Sequence, residues 1–568
     1  MLSFIEYASE QKILELLAKE RAKVAVKRRS STTVSPIKIA EKVQEGEPLS
    51  IEDRLFTIMP PRDRWIRPRK KDRSAAGEKK STRAILKNSI LLTIRKDRKS
   101  SGQLPYLQNL DRFIEEIRAT IKDNAELSFR SMKITPKKKG KKGGIIVMRP
   151  ICSFSDLKEK VLISLASSYL SEAAEPILHE EILSYRPPRF YHGSEKKVLT
   201  SRENAVDSID LYRSMTGKRK IYVAECDIKK YFDSINHDVV RKCFDDLACR
   251  LTGTGFTYGP VRRILDAYLN SFSFFGNVSE KNNELKEGER YDIPSPEDFV
   301  KAGCYKDIDE FNSCKFKIGI PQGGALSGII SNVIMNAIDR GTVLKEEDHE
   351  RFFCRYGDDI LLMHTDKDRC KKLIEAYSEG LKNAHFLCHD FIDISTYKNG
   401  DKTLCALWEQ KSKKPFLWGR GEEDSAEWIG FLGYELRYSG EIRIRRSSFD
   451  EKCKRIKRAY RSALKSRISK GNEKTLTFNE LEEKSRRTIE RFRGNGFSGA
   501  THLSANKYSG TQAGKLDGYK HQHIRSIIRK ISRHNRIAGM PAESVQRDLS
   551  TALRPLIRKC CNYRRTLH

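Results

Sequence analysis

Along the middle of the chain, short apolar runs bounded by charged or turn-forming residues alternate with stretches of helical spacing. KRKIYVAECDI (218–228) is β-branched and aromatic and predicts a strand that ends at Asp227. HDVVRKCFDDLACRL (237–251) follows with apolar positions three and four apart, the mark of an amphipathic helix. ERFFCRYGDDILLMH (350–364) is two apolar runs on either side of Gly-Asp, which predicts a β-hairpin. Residues 275–315 are polar and turn-rich and read as an insertion in this regular frame. Beyond it, SSFDEKCKRIKRAYRSALKSRISK (447–470) and HIRSIIRKISRHNRI (523–537) return to helical spacing, the first behind Ser/Asp start signals. The pattern as a whole is an α/β body followed by a helical segment.

Composition sharpens this. At 568 residues the chain is long enough for about three to four domains. Lys+Arg 109 against Asp+Glu 76 gives a net charge of +33, which points to a polyanionic partner. The charge is not spread evenly. Residues 62–99 hold 15 Lys/Arg against 4 Asp/Glu, and residues 441–568 hold 32 against 11, so these two segments carry nearly all of the excess. The near-neutral stretch between them suits a folded catalytic body flanked by basic parts that grip phosphates. The first basic block interleaves Trp65 with Pro, Gly, Ser and Ala and reads as an arm or linker. No apolar run reaches the ~18 residues of a membrane span, and MLSFIEYASEQKILELLAKERAK (1–23) has no signal-peptide core. Export and membrane residence are disfavoured, and a cytoplasmic setting is expected. The 13 cysteines include no C-x-x-C pair, which argues for reduced thiols and against a zinc site.

Three features occur in order: Asp227 at a strand end, the loop GIPQGGALSG (319–328), and Tyr356-Gly357-Asp358-Asp359 in the hairpin turn. Taken singly, each is ordinary, since acidic turns are common on surfaces and an aspartate at a strand end often caps a helix. If the strand ending at Asp227 lies beside the hairpin, however, two carboxylates converge. They would repel strongly unless divalent cations sit between them. Two Mg²⁺ ions about 3.5–4 Å apart, with Mn²⁺ as the alternative ion, support in-line phosphoryl transfer. The carbonyl of Ile228 is a further candidate ligand, and Asp359 either ligates or orients its neighbour.

These residues resemble motifs A, B and C of the reverse transcriptase palm: DIKKYFDSINH (227–237), GIPQGGALSGIISN (319–332) and RYGDD (355–359). KITPKKKGKKGGIIVMRPICSF (133–154) is similar to the fingers hairpin of that family, and GFLGYEL (430–436) to its primer grip, so the likeness runs over about 133–450. It implies an α/β right-hand polymerase fold with a predominantly α-helical thumb. The domains it implies are a basic N-terminal extension over 1–100, fingers over 101–220, palm over 221–439 and a basic helical thumb over 440–568. It implies RNA-directed DNA synthesis from dNTPs, with Asp227, Asp358 and Asp359 catalytic. Lys142 and Arg149 would grip the triphosphate, and Gln322 and Gly323 would contact nucleotide and template. Lys398 or Lys402 would be the general acid, and Phe431, Leu432, Gly433 and Tyr434 the primer grip. Phe232, five residues after Asp227, stands where the family places an aromatic ring against the sugar. Such a ring excludes a 2′-hydroxyl, whereas RNA polymerases with a GDD turn bind the ribose with a polar group at that point.

Within the family, retron enzymes resemble this palm but carry an N-A-x-x-H box and a V-T-G motif; here NAVDS stands at 204–208 and VTG is absent. Group II intron enzymes usually continue motif B with Ser-Pro-Leu, where this chain has Ser327-Gly328-Ile329, and no Cys/His set for an HNH nuclease follows. The sequence is most similar to bacterial defence-associated and abortive-infection reverse transcriptases. That implies antiphage activity, an RNA template or partner non-coding RNA, a DNA product and oligomerisation. The alternatives are an intron or retron-like retroelement enzyme, a non-catalytic RNA-binding scaffold, and template-independent or protein-primed synthesis. Tyr508, Tyr519, Tyr563 or nearby serines are the candidate primers for the last.

Overall fold

The computed structural model describes residues 1–27, 42, 49–67, 74–75, 78–79, 82–100, 104–186, 202–217, 219–397, 411–419, 424–465, 477–490, 507–534 and 540–560. The chain forms two compact units. The first is Met1–Pro187 with Asp227–Glu347 and Glu375–His389; the second is Pro188–Cys226 with Asp348–Ile374 and Asp390–His568.

In the first unit, the helix Pro105–Lys122 buries Tyr106, Leu107, Leu110, Phe113, Ile114, Ile117 and Ile121, one stripe at helical spacing. The helix Leu157–Ala174 starts at Asp156, whose carboxylate accepts from the Lys158 and Glu159 amides. The basic segment expected to be an arm is different in its second half. Thr82–Lys99 is a helix packed against Glu10–Lys27, with Ile90 and Ile94 fully buried. Asp97 anchors it by accepting from Arg64 at 3.1 Å and from the Tyr106 hydroxyl at 2.6 Å. The apolar residues that make this helix are sparse among lysines and arginines, so composition hid its buried face.

The basic hairpin Lys133–Lys142/Ile145–Ser153 turns at Gly143-Gly144, both at positive φ. Residues 275–315 are more ordered than their polarity suggests. Their helices Pro296–Lys301 and Ile308–Cys314 close on Phe299, Tyr305 and Phe311, and their strand Glu289–Tyr291 adds to Ile145–Ser153 as a third, parallel strand. The insertion is thus a small packed layer that braces the basic hairpin. Three aromatic residues supply a core that overall polarity concealed.

In the second unit a central sheet has the order Ser425–Ala426, Ser412–Trp418, Tyr222–Cys226, Asp359–His364, Arg351–Tyr356. Ile360, Leu361, Leu362 and Met363 are all buried in succession, as expected of a central strand covered on both faces. A second sheet, Trp428–Phe431, Tyr434–Arg437 and Ile442–Ile444, leads into a helical bundle. There Arg446–Lys465, Phe478–Glu490, Lys507–His534, Ala542–Ala552 and Arg554–Cys560 enclose Ile456, Leu481, Ile524, Ile527, Ile528, Ile531 and Leu549. Gln512 ties bundle to sheet by accepting from the Ile444 amide at 2.7 Å. Among the described residues no helix is long and apolar enough to cross a membrane.

Candidate active site

The hairpin that carries the acidic turn is set by register. Arg351–Tyr356 pairs antiparallel with Asp359–His364, and Tyr356 opposite Asp359 closes a two-residue turn of Gly357 and Asp358. Gly357 has φ +73°, the left-handed conformation that such a turn needs at its first central position. Asp358 is half-buried and Asp359 exposed. Behind the turn lies Arg355, fully buried, with a guanidinium nitrogen 3.4 Å from the Gly357 carbonyl. On the other side of Asp359–His364 runs Tyr222–Cys226, with Cys226 opposite Ile360. The next residue of the chain is Asp227.

Asp227 and its neighbours are held by the segment 387–389. The Asp227 carbonyl accepts from the His389 amide at 3.0 Å, and His389 Nε2 lies 3.5 Å from Asp227 Oδ1. Lys229 donates its amide to the Leu387 carbonyl at 2.6 Å, and buried Ile228 bridges to Cys388. Sequence reasoning missed His389, which has no motif around it.

Motif A and the glycine loop are stitched together by backbone. Ile320 donates to the Phe232 carbonyl at 2.8 Å and Gly319 to the Ile235 carbonyl at 2.7 Å. Phe232 is half-buried, its ring 5.1 Å from that of Tyr231 and 6.4 Å from that of Tyr185. Gln322 Nε2 donates to Asp233 Oδ1 at 3.1 Å. Asp233 was missed as a site residue, although it stands inside the quoted motif. Burial pushes its carboxyl up to about 6, against the pull of Lys230, Gln322 and the exposed Arg149. Gly323 has φ +82°, and a Cβ there would meet nothing within 4 Å, which leaves open space over the backbone. Lys230, itself at φ +53°, reaches the Asp292 carboxylate at 2.7 Å and so fastens motif A to the insertion.

The first unit therefore gathers Arg149, Phe232, Gln322 and Gly323 around Asp233, while the second holds Asp358 and Asp359. The second unit also presents Phe431-Leu432-Gly433-Tyr434 as a hairpin turn, with Phe431 opposite Tyr434 and positive φ at Leu432 (+50°) and Gly433 (+90°). Lys142 closes the basic hairpin, but its side chain lies outside the described residues, as do Lys398 and Lys402. Of the candidate priming tyrosines, Tyr519 packs against the bundle core with its hydroxyl buried. Tyr563 and the Tyr508 side chain lie outside the described residues.

Residues 136–390 match the family model described as reverse transcriptase (RNA-dependent DNA polymerase). This span is a reverse transcriptase domain. Its three motifs fall within it in order, and it makes the chain an RNA-directed DNA polymerase, a nucleotidyltransferase with a right-hand polymerase fold. No curated protein matches the chain at a significant level. Among solved structures it is similar to apo telomerase from Candida tropicalis, at 13% identity and a TM-score of 0.35, covering 85% of this chain and 77% of that one. It is also similar to telomerase from Candida albicans bound to a TWJ fragment of telomeric RNA, at 14% identity and a TM-score of 0.31, covering 86% and 76%.

Proposed function

We propose that this reverse transcriptase domain makes DNA from dNTPs on a bound non-coding RNA, with Asp227, Asp358 and Asp359 as its catalytic carboxylates, and that it serves bacterial antiphage defence. The observation that carries the chemistry is the strand register. Cys226 pairs with Ile360 and Tyr356 with Asp359. Along the chain Asp227 follows Cys226 directly and Asp359 precedes Ile360 directly, so the motif A strand and the strand that begins at the acidic turn are paired neighbours in one sheet.

The donor set suits magnesium: carboxylate oxygens and the Ile228 carbonyl are hard ligands. Among the described residues, no three His, Cys, Asp or Glu side chains are grouped to hold a metal. Mg²⁺ bound there would polarise the α-phosphate and favour the ionised 3′-hydroxyl. The protein's own part is positioning. Arg149 neutralises the triphosphate, Gln322 is held against Asp233 to face the nucleotide, and the Phe232 ring fills the space a 2′-hydroxyl would need. The primer 3′-hydroxyl then attacks the α-phosphorus, and pyrophosphate leaves.

The defence role rests on the likeness of the Ser327-Gly328-Ile329 loop and the strand after the primer grip to defence-associated enzymes. The net charge of +33, with its basic C-terminal helices, supports a nucleic-acid partner. The test is Asp358→Ala in protein purified with its copurifying nucleic acid. Labelled dNTP incorporation should fall at least 1,000-fold, on the order of losing a main electrostatic contribution to catalysis, and phage protection should vanish. Protection that survives the substitution would favour a non-catalytic scaffold.

A further inference from the structure

The short segment before residue 187 holds an exposed aromatic side chain beside the proposed sugar gate. Tyr185 is 53% exposed and has φ +54°, a left-handed conformation that side-chain-bearing residues adopt at a cost. Its two neighbours fix it there. The Ser184 carbonyl accepts from the buried Asn332 amide at 2.9 Å, on the helix that follows the glycine loop. Arg186 is sealed in: it donates to both Glu175 carboxylate oxygens at 3.2 and 3.0 Å, and to the Ile182 and Leu178 carbonyls at 3.1 and 3.3 Å. A backbone strained at one residue and clamped on both sides spends its rigidity on aiming that residue's side chain.

The ring is aimed at motif residues. Its edge meets Phe232 at 6.4 Å and 76°. It also lies over Gly328, where a Cβ would fall 3.1–3.2 Å from Tyr185 Cβ, Cδ1 and Cγ. A Cβ at 328 would press on the ring, so the glycine and the tyrosine fit each other closely. A ring that served only to pack would be buried. This one touches Phe232 and Gly328 and still leaves 53% of the residue's surface exposed.

We propose that Tyr185 is a specificity-determining residue that contacts the nascent base pair from the template side. The proposal rests on the reading of Phe232 as the surface under the incoming sugar. With the sugar on Phe232 and the triphosphate at Arg149, the part of the substrate left to meet an adjacent aromatic face is the base with its template partner. Aromatic rings suit that task because every base has a π-face and an apolar edge. Tyr185 then senses the shape of the pair, and Phe232 senses the sugar.

Two variants separate this from a structural role. Tyr185→Asn removes the ring yet tolerates the left-handed backbone, so it should fold with unchanged or higher stability. Tyr185→Phe keeps the ring. On an RNA template with a DNA primer, Tyr185→Asn should raise misincorporation about 10-fold, the scale of one lost base–aromatic contact. Rejection of rNTPs should stay as in the parent, and Tyr185→Phe should match the parent throughout. Independently of activity, a template carrying 5-iodouridine at the templating position should photo-crosslink to the peptide containing Tyr185, and Tyr185→Asn should lose that adduct. Unchanged mispairing, or an adduct that persists in Tyr185→Asn, would overturn the proposal. So would a loss of rNTP rejection without mispairing, since the ring would then be only a buttress for Phe232. Failure of the Phe232 reading shows separately, as unchanged sugar selection in Phe232→Ala.

Discussion

Gln322 donates its side-chain amide to Asp233 across 3.1 Å, and the acceptor is a carboxyl only 6% exposed. The motif B glutamine is thus aimed by a motif A residue whose charge is costly to bury. With its folded pKa raised from 3.8 to about 6, Asp233 leaves stability intact below pH ~4 and subtracts from it as pH rises through 6. The expected size is about 2–3 kcal/mol. Asp233→Asn keeps an acceptor for Gln322 but cannot ionise. Its stability relative to the parent should climb between pH 4 and 6 and then level off, as read by urea denaturation at stepped pH. A flat difference would mean that Asp233 does not titrate in that window.

Phe232→Ala should admit rNTPs. The Phe232 carbonyl is fixed by the Ile320 amide at 2.8 Å and its ring leans on Tyr231, so the side chain cannot swing away from a 2′-hydroxyl cheaply. Removing it should narrow the dNTP/rNTP preference by about 100-fold, a differential of about 2–3 kcal/mol, measured as the ratio of kcat/KM values. An unchanged ratio would take Phe232 out of that role.

What the sequence disclosed and what it hid have physical causes. The Tyr222–Cys226 strand, the YGDD hairpin and the 237–250 helix were legible because local periodicity and turn chemistry agree with the tertiary structure at those places. The order of motifs was enough to name the chemistry. Four things were not legible. The helix Thr82–Lys99 buries two isoleucines among basic residues, a face too narrow to stand out in composition. The 275–315 layer folds around aromatics spread between polar turns. His389 and Tyr185 gain their meaning only from what the fold sets beside them, which no spacing along the chain reveals.

Beneath the motif strand, Lys413 Nζ lies 2.5 Å from Glu225 Oε2, with side chains 3% and 12% exposed. Breaking such a pair leaves a buried charge uncompensated. Glu225→Gln should therefore destabilise the second unit by about 3–5 kcal/mol, whereas the double change Glu225→Leu with Lys413→Met should recover most of that. Thermal melts of the two variants check this. A double variant as weak as the single one would show that the ion pair itself, rather than relief of the stranded charge, holds the strands together.

Gly319 is the point where motif A and the glycine loop touch most closely. Its φ is +96°, and a Cβ there would lie 2.4 Å from Phe274 Cβ and 3.0 Å from the Asp233 carbonyl oxygen. Its own carbonyl accepts from the His237 ring at 2.8 Å, so that nitrogen must carry the proton. Burial holds the imidazole down to about 4, which keeps the ring neutral over the working pH range. Gly319→Ala must then strain the backbone and push apart two segments joined by the Ile320 and Gly319 amides. The expected cost is about 3 kcal/mol or more, the overpacking range added to that of a strained residue. Because those segments carry Phe232 and Gln322, dNTP incorporation should fall along with the melting temperature. Incorporation lost with the melting temperature unchanged would mean that the loop yields locally, and that Gly319 sets site geometry without supporting the fold.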